Sequence, residues 1–393
     1  MIRKIALPLL AISMLHSTVI AQTRVSVRVE NPLGIERNDE TVALAWSTLA
    51  PRLRNLTAQQ VRVIDPVSNR ELTTQALDAN ADGQVDSLLF QVSVAPKEVK
   101  QYAIEAAAPS QKVVSRVHAK FVPDREDVAW ESDRIAFRIY GKKLWELENL
   151  HSNGIDVWEK RTRSLVLDPW YDKGHDSYHV DTGEGADFFQ VGPTLGAGGV
   201  GIWRNGQLYR GDNFQQHRII ADGPIRAIFE LEYLPIDAGG RKATEHKRIS
   251  IDAGQNFFKQ ESRFSADGNE PIDVAVGLVK RPLEAPDVVG STSKNRDWKW
   301  LTVWGAIEKR THGHGDLGTA VLVNKSQFVD FEEISDHYLA INRITPGQTL
   351  VSYVGAGWTA SRDFDSAESW WRYVDQLAQR LATPLTVTLE GAK

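Results

Sequence analysis

Apolar and polar residues alternate with a period of two through most of this chain, the signature of strands that bury one face. VSVRVEN puts Val25, Val27 and Val29 on one side. TVALAW, VRVID, LLFQVSV and QYAIEAA repeat the pattern between turn residues as far as Ala108. This block reads as a small β-sandwich over residues 22–110, closed by the polar break Ala108-Pro109-Ser110-Gln111. Longer alternating runs follow, among them RIAFRIYG, IRAIFELEYL, HKRISID, FFKQESRF, WLTVWGAIEK and LVSYVGAGW. About a dozen strands with few helical stretches predict a large two-sheet sandwich over residues 111–393. One helix interrupts them: Asp365 caps SAESWW, the helix runs to about Leu381, Pro384 ends it, and PLTVTLE returns as a strand.

The same period assigns polar faces. His246, Arg248 and Ser250 share one, Lys259, Glu261 and Arg263 another, and Lys280 ends the apolar line Val274, Val276, Leu278. Trp298, Trp300 and Trp304 form a row that fits either a core layer or a platform for sugar rings. An open sheet carrying Arg, Lys, His and Trp on one face is expected to make a carbohydrate-binding groove.

The alternation breaks at Tyr178–Trp203, YHVDTGEGADFFQVGPTLGAGGVGIW. His179, Asp181, Glu184 and Asp187 fall within nine residues, and five glycines follow between Gly192 and Gly201. Dense glycine permits tight turns and close backbone approach. The segment is expected to hold acid–base residues; the plain alternative is a surface loop before a glycine-rich hairpin. His175 and His179 with Asp181 would bind zinc on a helix, but the surrounding glycines argue against a helix. His312 and His314, in THGHGDLG, are expected in a loop that lies over the groove, with His314 contacting substrate.

A second break, DANADGQVD, offers oxygen ligands from Asp78, Asn80, Asp82 and Asp86 and the Gln84 carbonyl, with Gly83 at the bend. These are the first nine positions of a calcium loop. Position twelve is Leu89 rather than a bidentate Glu, and a strand follows instead of a helix. A structural Ca²⁺ is expected here, against the alternative of a metal-free Asx-rich turn.

Composition narrows the field. The 393 residues are 42% hydrophobic and 25% charged, enough for a sizeable core. With no cysteine, disulfides, thiolate metal sites and cysteine nucleophiles are excluded. A formal charge of −5 without a basic stretch points away from nucleic acid. Arg3 and Lys4, the apolar run Ile5–Leu15 and the site Val19-Ile20-Ala21 read as a signal peptide over residues 1–21, with a mature start at Gln22 and a periplasmic or secreted destination. No cysteine follows that run, so no lipoprotein anchor is expected. There is no G-x-S-x-G elbow or phosphate loop, and GAGGVG leads into IWRNG without a helix, so no organic cofactor is expected.

NPLGIERNDETV, DANADGQVDSLLFQ, the Tyr178–Trp203 stretch, DGPIRAIFELEY and HKRISIDAG together resemble a bacterial family, domain-of-unknown-function family 4861, over nearly the whole mature chain. The resemblance implies an all-β protein: a small N-terminal β-sandwich, then a large galactose-mutarotase-like β-supersandwich with a C-terminal helix. It also implies breakdown of acidic polysaccharides, with ulvan dehydratase as the associated activity: water leaves a terminal uronic acid and a 4,5-unsaturated uronyl product remains. Such an elimination needs a cation at the carboxylate, a base at C5 and an acid at the C4 oxygen. On this reading His179 is the first choice for base or acid, with Tyr178 and His246 behind it. Arg263 and Lys280 neutralise the carboxylate, Asp181 orients His179, and Trp298, Trp300, Trp304 and His314 hold the sugar. The competing readings are a polysaccharide lyase, a glycoside hydrolase using carboxylates near Glu184, and a noncatalytic carbohydrate-binding protein.

Overall fold

Val25, Val27 and Val29 are fully buried, as their spacing predicts. Their strand, Arg24–Glu30, pairs with Val99–Glu105 on one side and with Thr386–Glu390 on the other. Arg62–Asp65 and Arg70–Leu72 complete this sheet, and Arg37–Ala45, Ser87–Val94 and Thr74–Leu77 form a second one. Val42, Leu44, Phe90, Tyr102 and Ile104 join the three valines between them. The computed structural model describes residues 24–54, 56–110, 112–281, 287–292 and 297–390; the expected signal segment lies outside them.

The small sandwich is therefore present, with one correction to its boundaries: its edge strand, Thr386–Glu390, comes from the far end of the chain. Leu385 and Leu389 pack on this core, and the pairing covers an edge of Arg24–Glu30 that would otherwise offer unpaired backbone groups.

The larger part is a β-supersandwich. A five-stranded sheet contains Val117–Val122, Asp127–Ser132, Ala136–Tyr140, Asp156–Lys160 and Gly185–Ala186. Another five-stranded sheet is built around Ala197–Arg204, Ile272–Val279 and His337–Ile344. A nine-stranded sheet backs both, with Lys242–Asp252, Phe257–Ala266, Thr349–Trp358, Asp316–Asn324 and Trp298–Ala306 at its centre. Trp130, Phe137, Phe229, Phe258, Val276 and Val321 belong to the one core between the layers.

The outer face of the nine-stranded sheet is partly covered by the helix Ala367–Ala382. Its cap is Ser366, one residue beyond the expected Asp365: the Ser366 hydroxyl accepts the Ser369 amide. Trp370, Val374, Leu377 and Ala378 turn inward and pack with Trp300 and Trp304. The Trp370 indole N–H donates to the Thr302 hydroxyl at 2.6 Å. A Cβ at Gly318 would stand 2.6 Å from the Trp370 ring, so glycine there makes room for it.

This settles the tryptophan row. Trp300 is 8% exposed and Trp304 5%, so both are core layer and not a sugar platform. A helix laid on a sheet face needs large flat apolar surface beneath it, and these rings supply it. Only Trp298, at the open end of the row, stays partly exposed, with its ring edge-on to Tyr353.

Trp370→Ala should cost about 3–5 kcal/mol, the range for truncating a buried aromatic ring. Denaturant unfolding measures it; a variant as stable as the parent would show that the helix is not part of the cooperative core.

Candidate functional site

In the first five-stranded sheet, strand parity sends Phe137, Ile139 and Val157 into the core. The alternate positions, Arg138 on one strand and Asp156 and Trp158 on the next, therefore point outward, yet all three are buried. They are covered by the segment after Lys160, which contains the helix Leu167–Asp172 and the short helical turn His175–His179. The cover is fastened at its start. Lys160 and Glu131 meet at 2.5 Å, fully buried, and Glu131 also accepts the amides of Val166 and Leu167.

Beneath the cover lies Arg138. Its guanidinium donates to Asp156 at 2.7 Å, to Asp187 at 2.9 Å and to the Tyr178 hydroxyl at 3.1 Å, and Asp127 stands at 3.8 Å. The rings of Tyr140, Trp158 and Tyr178 surround it. Tyr171 donates to Asp127 at 3.3 Å. Three buried carboxylates thus share one guanidinium. Burial pushes Asp127 up to about 6. Burial and the neighbouring Asp156 push Asp187 well above the usual carboxylate range, and burial raises Asp156 as well. Burial opposes the charge on Arg138, but Tyr140 and the three carboxylates hold its pKa above the ordinary value. The Tyr178 phenol is pushed up to about 12 by burial.

Asp187 carries this network to the surface. Its backbone carbonyl lies 3.0 Å from His179 Nδ1, and its carboxylate 3.7 Å. A carbonyl can only accept, so Nδ1 carries the hydrogen and Nε2 is left to take a proton. The His179 side chain is 40% exposed. The His175 ring lies 4.9 Å away, centre to centre. Arg125 stands beside this pair, 3.4 Å from Asp127 and 2.5 Å from Glu148, which in turn lies 3.7 Å from His175. Burial and the charge of Arg125 lower the His175 pKa, so this ring is neutral at neutral pH.

The sequence assignments separate here. Tyr178 and His179 belong to one site. Asp181 does not orient His179: it pairs with Arg161 and accepts the amides of Gly183 and Gly185, and Asp187 takes the expected role. Gly185 is required at this bend, since a Cβ would sit 1.9 Å from the Glu159 carbonyl oxygen. His175 and His179 do lie on a helical turn, but with Asp181 engaged elsewhere the three do not make a metal trio. Glu184 is held by Trp170 and Lys173.

Arg263 and Lys280 lie elsewhere. Arg263 is exposed on the nine-stranded sheet, opposite His246 and Thr349 in register. Lys280 follows the strand Ile272–Val279 of another sheet, bonded to Glu333 at 2.6 Å and lying over the Tyr338 ring. No hydrogen bond or ion pair joins either to His179; parity gave each a face but could not say which sheet it would join. His246 is partly exposed, 3.9 Å from Glu230. A cavity of about 300 Å³ does lie on this sheet, between the small sandwich and the C-terminal helix, lined by Arg226, Arg248, Asp252, Lys259, Glu261 and Tyr353, but no histidine, no tryptophan and not Arg263 lines it. Its cations are paired, Arg226 with Asp252, Arg248 with Glu230 and Lys259 with Glu261. His314 stacks on Phe188, ring centres 3.8 Å apart, and does not lie over this groove.

In the DANADGQVD loop, Asp78 accepts the amides of Asp82 and Gly83, Asn80 that of Asp82, Asp82 that of Gln84 and Asp86 that of Ala79. Arg138, Asp127 and Asp156 were missed in the sequence. The signal was present: each is a charge at the opposite parity to buried neighbours in RIAFRIYG, DVAW and IDVWEK.

The fold is a small β-sandwich followed by a galactose-mutarotase-like β-supersandwich. The chain belongs to the family described as domain of unknown function (DUF4861), whose model matches residues 29–387. It is 31% identical over 388 residues, 93% of either chain, to "Uncharacterized protein P7" of Formosa agariphila. It superposes on a glycosyl hydrolase family 38 protein from Enterococcus faecalis with TM-score 0.55 and 10% identity, over 94% of this chain and 48% of that one. It thus spans about half the length of that protein, and the likeness is one of fold. An α-mannosidase of the same organism matches with TM-score 0.47 and 9% identity, over 94% of this chain and 46% of that one.

The raised pKa of Asp127 has a pH signature. The folded value, about 6, lies above the ordinary 3.8, so between them the folded chain holds more proton than the unfolded one. Stability from this group is lost as pH rises through that window. In Asp127→Asn the melting temperature should therefore gain on the parent between those two pH values. A difference independent of pH would show that Asp127 stays ionised throughout.

Proposed function

We propose that the protein is an exported carbohydrate-active enzyme, a carbon–oxygen lyase that eliminates water from the non-reducing-end uronic acid of acidic, ulvan-type oligosaccharides. The observation that carries the reading is the His179 imidazole, fixed through Nδ1 by Asp187, which is fixed in turn by Arg138, with Nε2 left free. An oriented imidazole above a buried charge network is the arrangement a proton-transfer group needs. The fold supports a sugar substrate by analogy only.

In this mechanism His179 Nε2 takes the proton from C5 of the uronate. The electrons of that C–H bond form the C4=C5 double bond, and the C4–O bond breaks. The departing hydroxyl receives the proton from His179 and leaves as water, which returns the imidazole to its starting state. Arg125 supplies positive charge for the carboxylate, the role first given to Arg263 and Lys280. Tyr178, bonded to Arg138, holds the turn that carries His179.

His179→Ala should lower turnover about a hundredfold to ten-thousandfold, the span for a general acid or base. The assay is ultraviolet absorbance of the conjugated unsaturated uronate formed from ulvan oligosaccharides. A variant with parental rates would remove His179 from the chemistry. A second reading, hydrolysis or sugar binding in the sheet-face groove, is favoured by the carboxylates of Asp252 and Glu261 inside its volume. It predicts no absorbance change with any variant.

The same proposal places a structural Ca²⁺ in the 78–86 loop. The support is the spacing of Asp78, Asn80, Asp82, the Gln84 carbonyl and Asp86; in this structure Asp78, Asn80 and Asp82 accept the loop's own amides. A chelator should lower the melting temperature of the parent and not of Asp82→Ala. A parent insensitive to chelator leaves a metal-free Asx turn. Among the described residues no helix is long and apolar enough to cross a membrane.

A further inference from the structure

We infer that Glu308, His312 and His314 form a divalent transition-metal site, of the kind that takes zinc, with a coordination position open to solvent. The site is independent of the elimination chemistry proposed above. Among the described residues these three are the one group of His and carboxylate side chains whose ligand atoms all lie within 4.8 Å of one another.

The backbone explains why they meet. The chain leaves the strand Trp298–Ala306, turns, and returns as Asp316–Asn324. The neck is closed by the Ile307 amide, which donates to the Gly315 carbonyl at 3.2 Å, and inside it the His312 amide donates to Lys309 at 2.9 Å. Gly313 and Gly315 have φ of 76° and 79°, values that side chains other than glycine rarely adopt. These turns bring two histidines, separated by one residue, to the same side of the loop as Glu308. Glu308 Oε2 lies 3.0 Å from His312 Nδ1 and 2.7 Å from His314 Nδ1.

His314 is held from two sides. Its ring stacks on Phe188 with planes 18° apart, and its carbonyl accepts the Trp358 indole N–H at 2.6 Å. One ligand is thus fixed by packing before any ion arrives, which reduces the ordering that binding requires. The outer side is free: His312 is half-exposed, and Glu308 and His314 partly so.

Two imidazoles and a carboxylate are a mixed nitrogen–oxygen set suited to zinc and its neighbours rather than to calcium, which takes oxygen ligands alone. Three protein ligands leave a fourth position for water or for a carboxylate oxygen. Without an ion, both Nδ1 atoms must carry hydrogen to donate to Glu308. An ion held at Nδ1 shifts that hydrogen to Nε2 of the same neutral ring, so each imidazole ligates without a change of charge. Phe188 follows Asp187 in the chain, so one short segment touches both this trio and His179.

The test uses the full chain, stripped with a chelator and titrated with Zn²⁺ alone by calorimetry, with melting temperature as a second readout. The parent should take up one zinc saturably, with a rise in melting temperature. His312→Ala and Glu308→Gln should each weaken binding more than about tenfold, as loss of one of three ligands requires. His312 is half-exposed, so its removal leaves the fold intact; Asp82→Ala, in the other loop, should bind zinc as the parent does. Failure of the parent to bind zinc saturably would overturn the inference. So would uptake undiminished in both His312→Ala and Glu308→Gln, because the ion would then be held elsewhere.

Discussion

One buried arginine decides whether the candidate site exists. Arg138 sits among Asp127, Asp156 and Asp187 in a part of the protein closed to water. A carboxylate in such surroundings is costly unless a cation or a proton compensates it. Asp156 is on the neighbouring strand and Asp187 is on the covering segment, so satisfying Arg138 ties the cover to the sheet. The buried Lys160–Glu131 pair ties the start of the same cover. Between these two fastenings the chain turns at His175–His179 and presents His179 at the surface. Geometry at His179 therefore depends on charge balance at Arg138, which the imidazole does not touch.

The same economy of contacts joins the two sandwiches. Arg37, in the small one, donates to the carbonyls of Arg380 and Thr383 at the end of the C-terminal helix, and Glu40 reaches Arg380. Arg116 bridges Asp39 of the small sandwich and Asp133 of the large one. Arg248 and Arg218, on the nine-stranded sheet, hold backbone carbonyls of the acidic loop at Ala79 and Asn80. These contacts frame the groove on the sheet face. They also explain why its cations are paired and why the acidic loop, though far from Arg138 in the chain's logic, is part of the domain junction.

The Tyr178–Phe189 segment links the chemistry-bearing features. Tyr178 and Asp187 face Arg138, Asp181 faces Arg161, and Phe188 meets His314. Arg161 in turn lies over the ring of Trp358, which holds the carbonyl of His314. A turn with glycine at 183 and 185 is what lets one short stretch contact three partners. Any change in its backbone is felt at both the imidazole and the Glu308 loop.

The sequence determined a good deal by itself. Period-two alternation gave the strands and the two sandwiches, because burial of one sheet face is a local pattern, and cap and stop residues gave the helix. It also marked Tyr178–Trp203 as exceptional, since charge and glycine at that density do not serve a core. Only the tertiary structure decided which faces meet. The tryptophan row was equally consistent with core and with platform until the helix Ala367–Ala382 was seen to lie on it. Asp181 was the expected partner of His179 until the turn at Gly183 and Gly185 sent it to Arg161 and brought Asp187, held by Arg138, to the imidazole. Arg263 and Lys280 had the right charge and the wrong sheets. The last strand belongs to the first sandwich because an open edge there needed a partner. Pairing between distant segments is set by shape and by charge compensation across the fold, and neither is written in local periodicity.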